Sequence, residues 1–259
     1  MISDTIPFEE QGKGPTMILV PGLDGTALLF YRQVPILAQH FRVLTFPLPD
    51  DPGCTMSTLV ERLRVVIHEA LEQNGQQKVL LCGESFGGAL SLAFALEHPE
   101  LLMGLVIVNS FSMIRNRMAL RLAPWLLRTI PWGAMKMVRQ FTEWKLHSPH
   151  TQPEDLAEFH TRMVQVGKKG YIRRLEILQS YDVRDQLSRI QTPTLFLASD
   201  RDRLVPSPRE AEFMAGRMPN AQRIVLNGYG HICMINHDFN LQDYVLPWLT
   251  RTIIRSESH

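Results

Sequence analysis

Val79-Leu80-Leu81-Cys82-Gly83-Glu84-Ser85-Phe86-Gly87-Gly88-Ala89-Leu90 is the stretch on which the reading of this 259-residue chain turns. Val79–Cys82 is a short continuous apolar run, the pattern of a strand covered on both faces. Ser85–His98, closed by Pro99, has helical periodicity. Between them a serine stands with a glycine two residues to either side, at Gly83 and Gly87. A strand that turns straight into a helix brings two backbones close together, and only small residues let them pass. The tip of such a turn pushes its side chain out beyond the sheet, with the N-terminus of the next helix aimed at it.

Working outward, five further runs repeat the strand pattern: Met17–Val20, Val43–Phe46, Leu105–Val108, Thr194–Ala198 and Ile224–Leu226. Helical segments lie between most of them. In Thr55–Asn74 the apolar residues Met56, Leu59, Val60, Leu63, Ile67, Ala70 and Leu71 follow one helix face. Thr55 is placed to cap its start, and Asn74-Gly75 to end it. Pro208–Met218, stopped by Pro219, reads the same way. This alternation predicts an α/β fold with a mostly parallel, doubly wound sheet. The interval from Val108 to Thr194 has no strand pattern and is rich in Leu, Met, Trp and Arg, interrupted by Pro124, Pro131, Pro149 and Pro153. A structureless loop of that length is improbable in a compact domain. The expected organisation is therefore a core of residues 1–109 and 190–259 with a helical cap at 110–189.

Composition narrows the class. A chain with 45% hydrophobic and 20% charged residues is globular rather than disordered or fibrous, and a net charge of +1 removes the default case for nucleic acid. Cys54, Cys82 and Cys233 are odd in number and lack a CxxC spacing, which suits buried thiols in a reducing compartment. Met1–Glu10 carries acids and a proline where a secretory leader has a basic start and an apolar run. No stretch reaches the roughly 20 apolar residues of a membrane span. A soluble cytoplasmic protein is expected.

A serine at the tip of a strand–turn–helix is a nucleophile once a base takes its proton and an acid orients that base. The base is expected in a loop after a late strand. Ile224–Leu226 is followed by Asn227-Gly228-Tyr229-Gly230-His231, a histidine after glycines just past a strand end. His40, His68, His98 and His160 sit on or beside predicted helices, and His237 is read as opening the final helix. His231 is thus the candidate base. For the acid, Asp200 and Asp202 compete after Thr194–Ala198. Asp202 lies further out, before Pro206, and is preferred; Asp200 is expected to bond its own turn. An oxyanion needs two donors: the N–H of Phe86, and one from the turn Pro21-Gly22-Leu23-Asp24-Gly25-Thr26, where Leu23 is the candidate. His147 and His150 flank Pro149 without a carboxylate partner, so no metal site is expected.

Together these residues resemble the α/β-hydrolase superfamily along essentially the whole chain. That likeness implies a serine ester hydrolase with no cofactor, and a cap inserted after the sixth strand, matching residues 110–189. The Pro21–Thr26 and Gly83–Gly88 motifs are similar to the hydrolase region of phytyl-ester-synthase-type esterase/lipase/thioesterase proteins, in which Pro-Gly also replaces the usual His-Gly. Leu175-Glu176-Ile177-Leu178 with Asp182-Val183-Arg184 is similar to the end of the cap in pimeloyl-carrier methyl ester esterases. Haloalkane dehalogenases and epoxide hydrolases share the fold but use an aspartate where Ser85 stands. The resemblance implies a carboxylesterase or lipase type of enzyme acting on an apolar acyl or alkyl ester. It leaves open transfer to a long-chain alcohol, a thioester or acyl-carrier substrate, and a catalytically inactive binding protein.

The cap's charge is uneven. Between Phe111 and His150 stand Arg115, Arg117, Arg121, Arg128, Lys136, Arg139 and Lys145 against the single acid Glu143. Residues 151–187 are balanced, which leaves the rest of the chain at about −5. With Met113, Met118, Met135, Met137, Trp125, Trp132 and Trp144 in the same segment, three readings stand: ordinary helix surface, a peripheral face for anionic lipid, or a dock for an acidic acyl carrier.

Overall fold

The computed structural model describes residues 9–131, 133 and 145–257. Seven strands form one sheet: β1 (Glu10–Gln11), β2 (Thr16–Val20), β3 (Arg42–Thr45), β4 (Val79–Glu84), β5 (Leu102–Val108), β6 (Thr194–Ser199) and β7 (Ala221–Leu226). Their order is β1-β3-β2-β4-β5-β6-β7. All neighbours run parallel except β1, which is antiparallel to β3 at the edge. The fold is thus the α/β hydrolase fold, its sheet flanked by helices.

Alternate residues of each strand feed different layers, which is why the runs are apolar without a break. Leu81 and Ile107 pack with helices α2 (Met56–Asn74), α3 (Phe86–Glu97) and α7 (Ser207–Ala215). Leu80, Cys82, Val106 and Val108 pack on the other face with α1 (Gln33–Leu37) and α8 (Gln242–Glu257). The α2 boundaries match their sequence signals. Thr55 and Thr58 exchange side-chain and backbone hydrogen bonds at its start, and Gly75 ends it in the left-handed region at φ 63°.

β1 is the strand that the sequence pattern misses. It is two residues long and exposed, and is held by its backbone pairing with β3 and an ion pair rather than by burial. Arg42 donates to both carboxylate oxygens of Glu10 at 2.7 and 2.8 Å. The guanidinium's hydrogen bond holds the Glu10 carboxyl below its ordinary pKa.

Between β5 and β6 the described residues hold no strand. They form α4 (Arg117–Thr129), α5 (Pro153–Met163), α6 (Lys168–Ser180) and a 3-10 turn at Arg184–Arg189, with an isolated bridge between Met113 and Asp182 at the base. This insertion follows the fifth described strand. Pro124 does not interrupt the chain as its sequence suggested, but lies inside α4. A proline frees the carbonyl four residues back. Here that carbonyl, on Leu120, accepts from the Gln179 side chain of α6 at 3.2 Å. Among the described residues no helix is long and apolar enough to cross a membrane.

Two glycines separate crowding from backbone conformation. A Cβ on Gly87 would lie 2.1 Å from the Val20 carbonyl oxygen, whereas one on Gly75 meets nothing within 4 Å. Gly75→Ala should cost about 1–2 kcal/mol, the strain of a left-handed alanine. Gly87→Ala should cost more than about 4 kcal/mol, in the range reserved for core disruption. Thermal unfolding of the two variants checks the ranking.

Candidate active site

The site begins where β4 ends. Ser85 takes φ 54° and ψ −115°, a conformation forced by the immediate turn into α3. The crossing beneath it is tight: a Cβ on Gly83 would sit 2.3 Å from the Gly87 carbonyl oxygen. Two contacts hold the strained residue. Its N–H donates to the Val108 carbonyl at 2.9 Å, and the Ser110 hydroxyl donates to its carbonyl at 2.7 Å. Phe86 is the first helical residue, so its N–H belongs to the set that no helix can satisfy internally.

β6 and β7 deliver the other groups from their carboxyl ends. Asp202 lies beyond the β6 tip, and its side chain is wholly buried. Its Oδ1 accepts the N–H groups of Leu204 and Val205, both at 2.9 Å. Its Oδ2 accepts from the Ser207 hydroxyl and, at 2.7 Å, from His231 Nδ1. A carboxylate only accepts, so Nδ1 carries the imidazole proton and Nε2 is left with its lone pair. That Nε2 is 3.0 Å from Ser85 Oγ. The structure therefore brings Ser85, His231 and Asp202 into one hydrogen-bonded chain. Burial works to lower the pKa of His231, but the charge and hydrogen bond of Asp202, joined by Glu84, raise it above the ordinary value. Such a chain can move the serine proton to the ring while the hydroxyl oxygen forms a bond.

Asp200 is placed elsewhere. Its Oδ1 accepts the N–H of Gly228 at 2.7 Å, so it ties the β6 exit to the loop that carries His231 rather than its own turn. His237 is corrected too. The final helix starts at Gln242, and His237 sits in the preceding turns with its N–H on Asp155 at 3.2 Å. Those turns are held out of the helix by Gln33, whose side chain bonds Met234, Phe239 and Leu241. His147 lies edge-on to Phe159 and His150 stacks on Tyr229. Among the described residues no three potential metal ligands cluster.

Leu23 comes beside Ser85 through its loop. A Cβ on Gly22 would lie 3.5 Å from that of Ser85. Gly22, Leu23, Asp24, Glu84, Ser85 and His231 line a cavity of about 80 Å³, whose remaining wall is Leu29, Leu146, Phe159, Met163, Tyr171, Leu204 and Ile232. Glu84 is buried with its Oε1 unpartnered, and burial pushes its pKa up to about 8.

A family model described as the α/β hydrolase fold matches residues 15–238. The chain belongs to this family. A protein of Stutzerimonas stutzeri named "Putative carbamate hydrolase RutD" is 31% identical over 239 residues, covering 86% of each chain. A protein of Escherichia coli with the same name is 27% identical over 259 residues, covering 94% of this chain and 90% of its own. Among solved structures, an esterase from Thermogutta terrifontis superposes with a TM-score of 0.84 at 23% identity, covering 95% of this chain and 93% of that one. The enol-lactonase of Burkholderia xenovorans does so at 0.81 and 20% identity, covering 94% and 96%. These two likenesses show the hydrolase fold.

The insertion's charges are partly paired within the chain. Arg115 faces Glu210 at 3.5 Å, Arg117 faces Asp182 at 3.4 Å, and Arg128 meets Glu176. Met118, Leu122 and Trp125 of α4 are exposed. Lys136, Arg139, Glu143, Met135, Met137, Trp132 and Trp144 lie outside the described residues.

Sequence reasoning missed the groups that hold the loops. Asn109, at φ 46° just past β5, donates to the His231 carbonyl at 2.7 Å and to Ser199 Oγ at 2.9 Å. The signal was present, an asparagine and Ser110 directly after an apolar strand. Ser207 and Arg174 carried none, since a serine before a proline and an arginine on a helix are ordinary.

Two outcomes are expected. Asp202→Asn should lower kcat by on the order of 10⁴, as loss of the orienting acid does elsewhere, and Asp200→Asn by far less; steady-state kinetics on an activated ester decides. The base must be neutral to accept a proton, so kcat/KM should fall on the acid side with an inflection above the ordinary histidine value near 6.5. A pH profile with its inflection below that value would contradict the raised pKa.

Proposed function

We propose that this protein is a serine hydrolase that cleaves small carboxylic esters through an acyl-enzyme. The observation that carries the reading is the continuous chain from Ser85 Oγ through His231, with 3.0 Å and 2.7 Å links, to a buried carboxylate. Ser85 Oγ attacks the acyl carbonyl carbon as His231 Nε2 takes the hydroxyl proton. Asp202 holds the ring and stabilises the imidazolium. The carbonyl electron pair moves to oxygen, where the N–H groups of Phe86 and Leu23 receive it; removing one such donor typically costs about 10²–10³ in rate. Collapse of the adduct expels the alcohol, which takes its proton from His231. Water then repeats the cycle on the acyl-serine.

The size of the cavity bears on the substrate. About 80 Å³ is small beside the roughly 300–1,000 Å³ clefts that hold drug-sized ligands. Its walls are mostly apolar, with acids rather than cations among the polar groups, which favours a short, uncharged acyl group over a lipid chain. Carbamates are a second reading, supported by the name of the 31%-identical relative. A carbamate presents the same carbonyl to the same oxyanion donors. Transfer to a long-chain alcohol, which a phytyl-ester-synthase-like enzyme would perform, uses the same acyl-enzyme and differs in the acceptor.

The test is a fluorophosphonate label followed by a product panel. Wild type should label and Ser85→Ala should not. Hydrolysis should peak at acetyl to butyryl esters and fall for octanoyl, with free acid as product even when a long-chain alcohol is added. Labelling of the alanine variant, or no labelling of folded wild type, would overturn the serine hydrolase reading. A peak at long chains would overturn the small-acyl reading, and faster turnover of a simple carbamate ester than of acetate would favour the second.

A further inference from the structure

Arg174, on α6, reaches down from the insertion into the loop between β2 and α1, and is 2% exposed. Its acceptors are backbone carbonyls: Nε donates to Leu23 at 3.0 Å, Nη2 to Asp24 at 3.1 Å and Nη1 to Pro49 at 3.1 Å. Leu23 and Asp24 are consecutive residues of the turn that meets Ser85. The site is shaped around the guanidinium, since a Cβ on Gly25 would lie 2.6 Å from its Cζ. A buried cation is expensive to keep, and an apolar side chain of similar size would usually serve packing better. Burial accordingly lowers the pKa of Arg174, opposed by nearby Asp24.

The contacts define the orientation of one peptide. The Gly22 carbonyl accepts from the Gly25 N–H at 3.1 Å, inside the turn. Across a trans peptide the N–H points opposite to the carbonyl. The Leu23 N–H is therefore turned outward, away from the turn's interior. The next carbonyl, that of Leu23, is held by Arg174. Both peptides flanking Leu23 are thus restrained, one by the turn and one by the insertion. Neighbouring contacts extend the clamp: Arg162 of α5 donates to the Leu28 carbonyl at 3.2 Å, and Arg32 pairs with Asp155 of α5 at 2.5 Å.

We propose that Arg174 is a positioning residue, holding the Leu23 peptide so that its N–H meets the oxyanion, and thereby making the helical insertion part of the oxyanion site. This rests on the serine hydrolase reading above. The substrate need not touch Arg174. Its loss is felt in the transition state, where the oxyanion forms, and little in the ground state.

The test compares Arg174→Met, which removes the donors at similar size, with Arg174→Lys, whose single ammonium cannot span three carbonyls. Active-site titration by the burst of an activated ester corrects for any unfolded fraction. Per active site, Arg174→Met should lose about 10²-fold in kcat, the scale of a misplaced catalytic group, with KM changed less than about threefold. Arg174→Lys should fall between it and wild type. Affinity for a small boronic acid, which forms a tetrahedral adduct on serine, should drop in proportion to kcat. The acid inflection of the pH profile should stay in place, because His231 and Asp202 are untouched. A loss accounted for by titration alone, or a rise in KM with kcat retained, would overturn the positioning role. If Arg174→Met does not fold, Arg174→Lys alone decides by the same readouts. Absence of Ser85-dependent labelling in wild type would overturn both readings; normal wild-type turnover with unaffected variants would overturn this one only.

Discussion

The crossing of backbones beneath Ser85 is the constraint on which the upper surface of the molecule depends. β4 ends and α3 begins with Gly83 and Gly87 closer than any side chain would allow. The same crossing presses α3 against the end of β2, since the nearest atom to a Cβ on Gly87 is the carbonyl oxygen of Val20. The chain leaves β2 at that point and runs directly into Pro21 and Gly22. One steric condition therefore sets the serine at a strained tip and lays the Leu23 loop beside it. The strain at Ser85 persists because Val108 and Ser110 hold its backbone on both sides.

Around this point a polar network is buried at the carboxyl edge of the sheet, where loops from adjacent parallel strands converge. A buried carboxylate is costly unless its lone pairs are met. Asp202 meets that condition with two backbone N–H groups, the Ser207 hydroxyl and His231. Asn109 and Asp200 do the same for the backbone, fastening the His231 loop to β5 and β6. Glu84 departs from this pattern, with an unpartnered oxygen and a pKa pushed up to about 8 by burial.

The insertion between β5 and β6 is more than a roof. It walls the cavity with Leu146, Phe159, Met163 and Tyr171, and it grips residues 23–32 through Arg174, Arg162 and Asp155. Its positive charge also looks different in three dimensions. Arg115, Arg117 and Arg128 each stand next to an acid 48 or more residues away along the chain, so part of the segment's positive charge is met in space.

The elements that the sequence by itself determined are those whose cause is local. Apolar runs of strand length, Thr55 and Gly75 at the two ends of α2, and the glycines around Ser85 each act over a few residues, and each is legible without a fold. The order Ser85, Asp202, His231 was legible because each follows a strand whose end is visible in the chain. Only the tertiary structure decided what depends on partners far away in sequence. β1 pairs with β3 and is fastened there by Arg42 on Glu10, and the carbonyl that Pro124 frees is taken by Gln179. Asp200 turns to Gly228, and Arg174 to Leu23, some 150 residues away. A periodic pattern records which face of an element is apolar; it carries no address for the partner of a buried polar group. That address is set when the sheet closes and the loops at its edge must satisfy one another out of water.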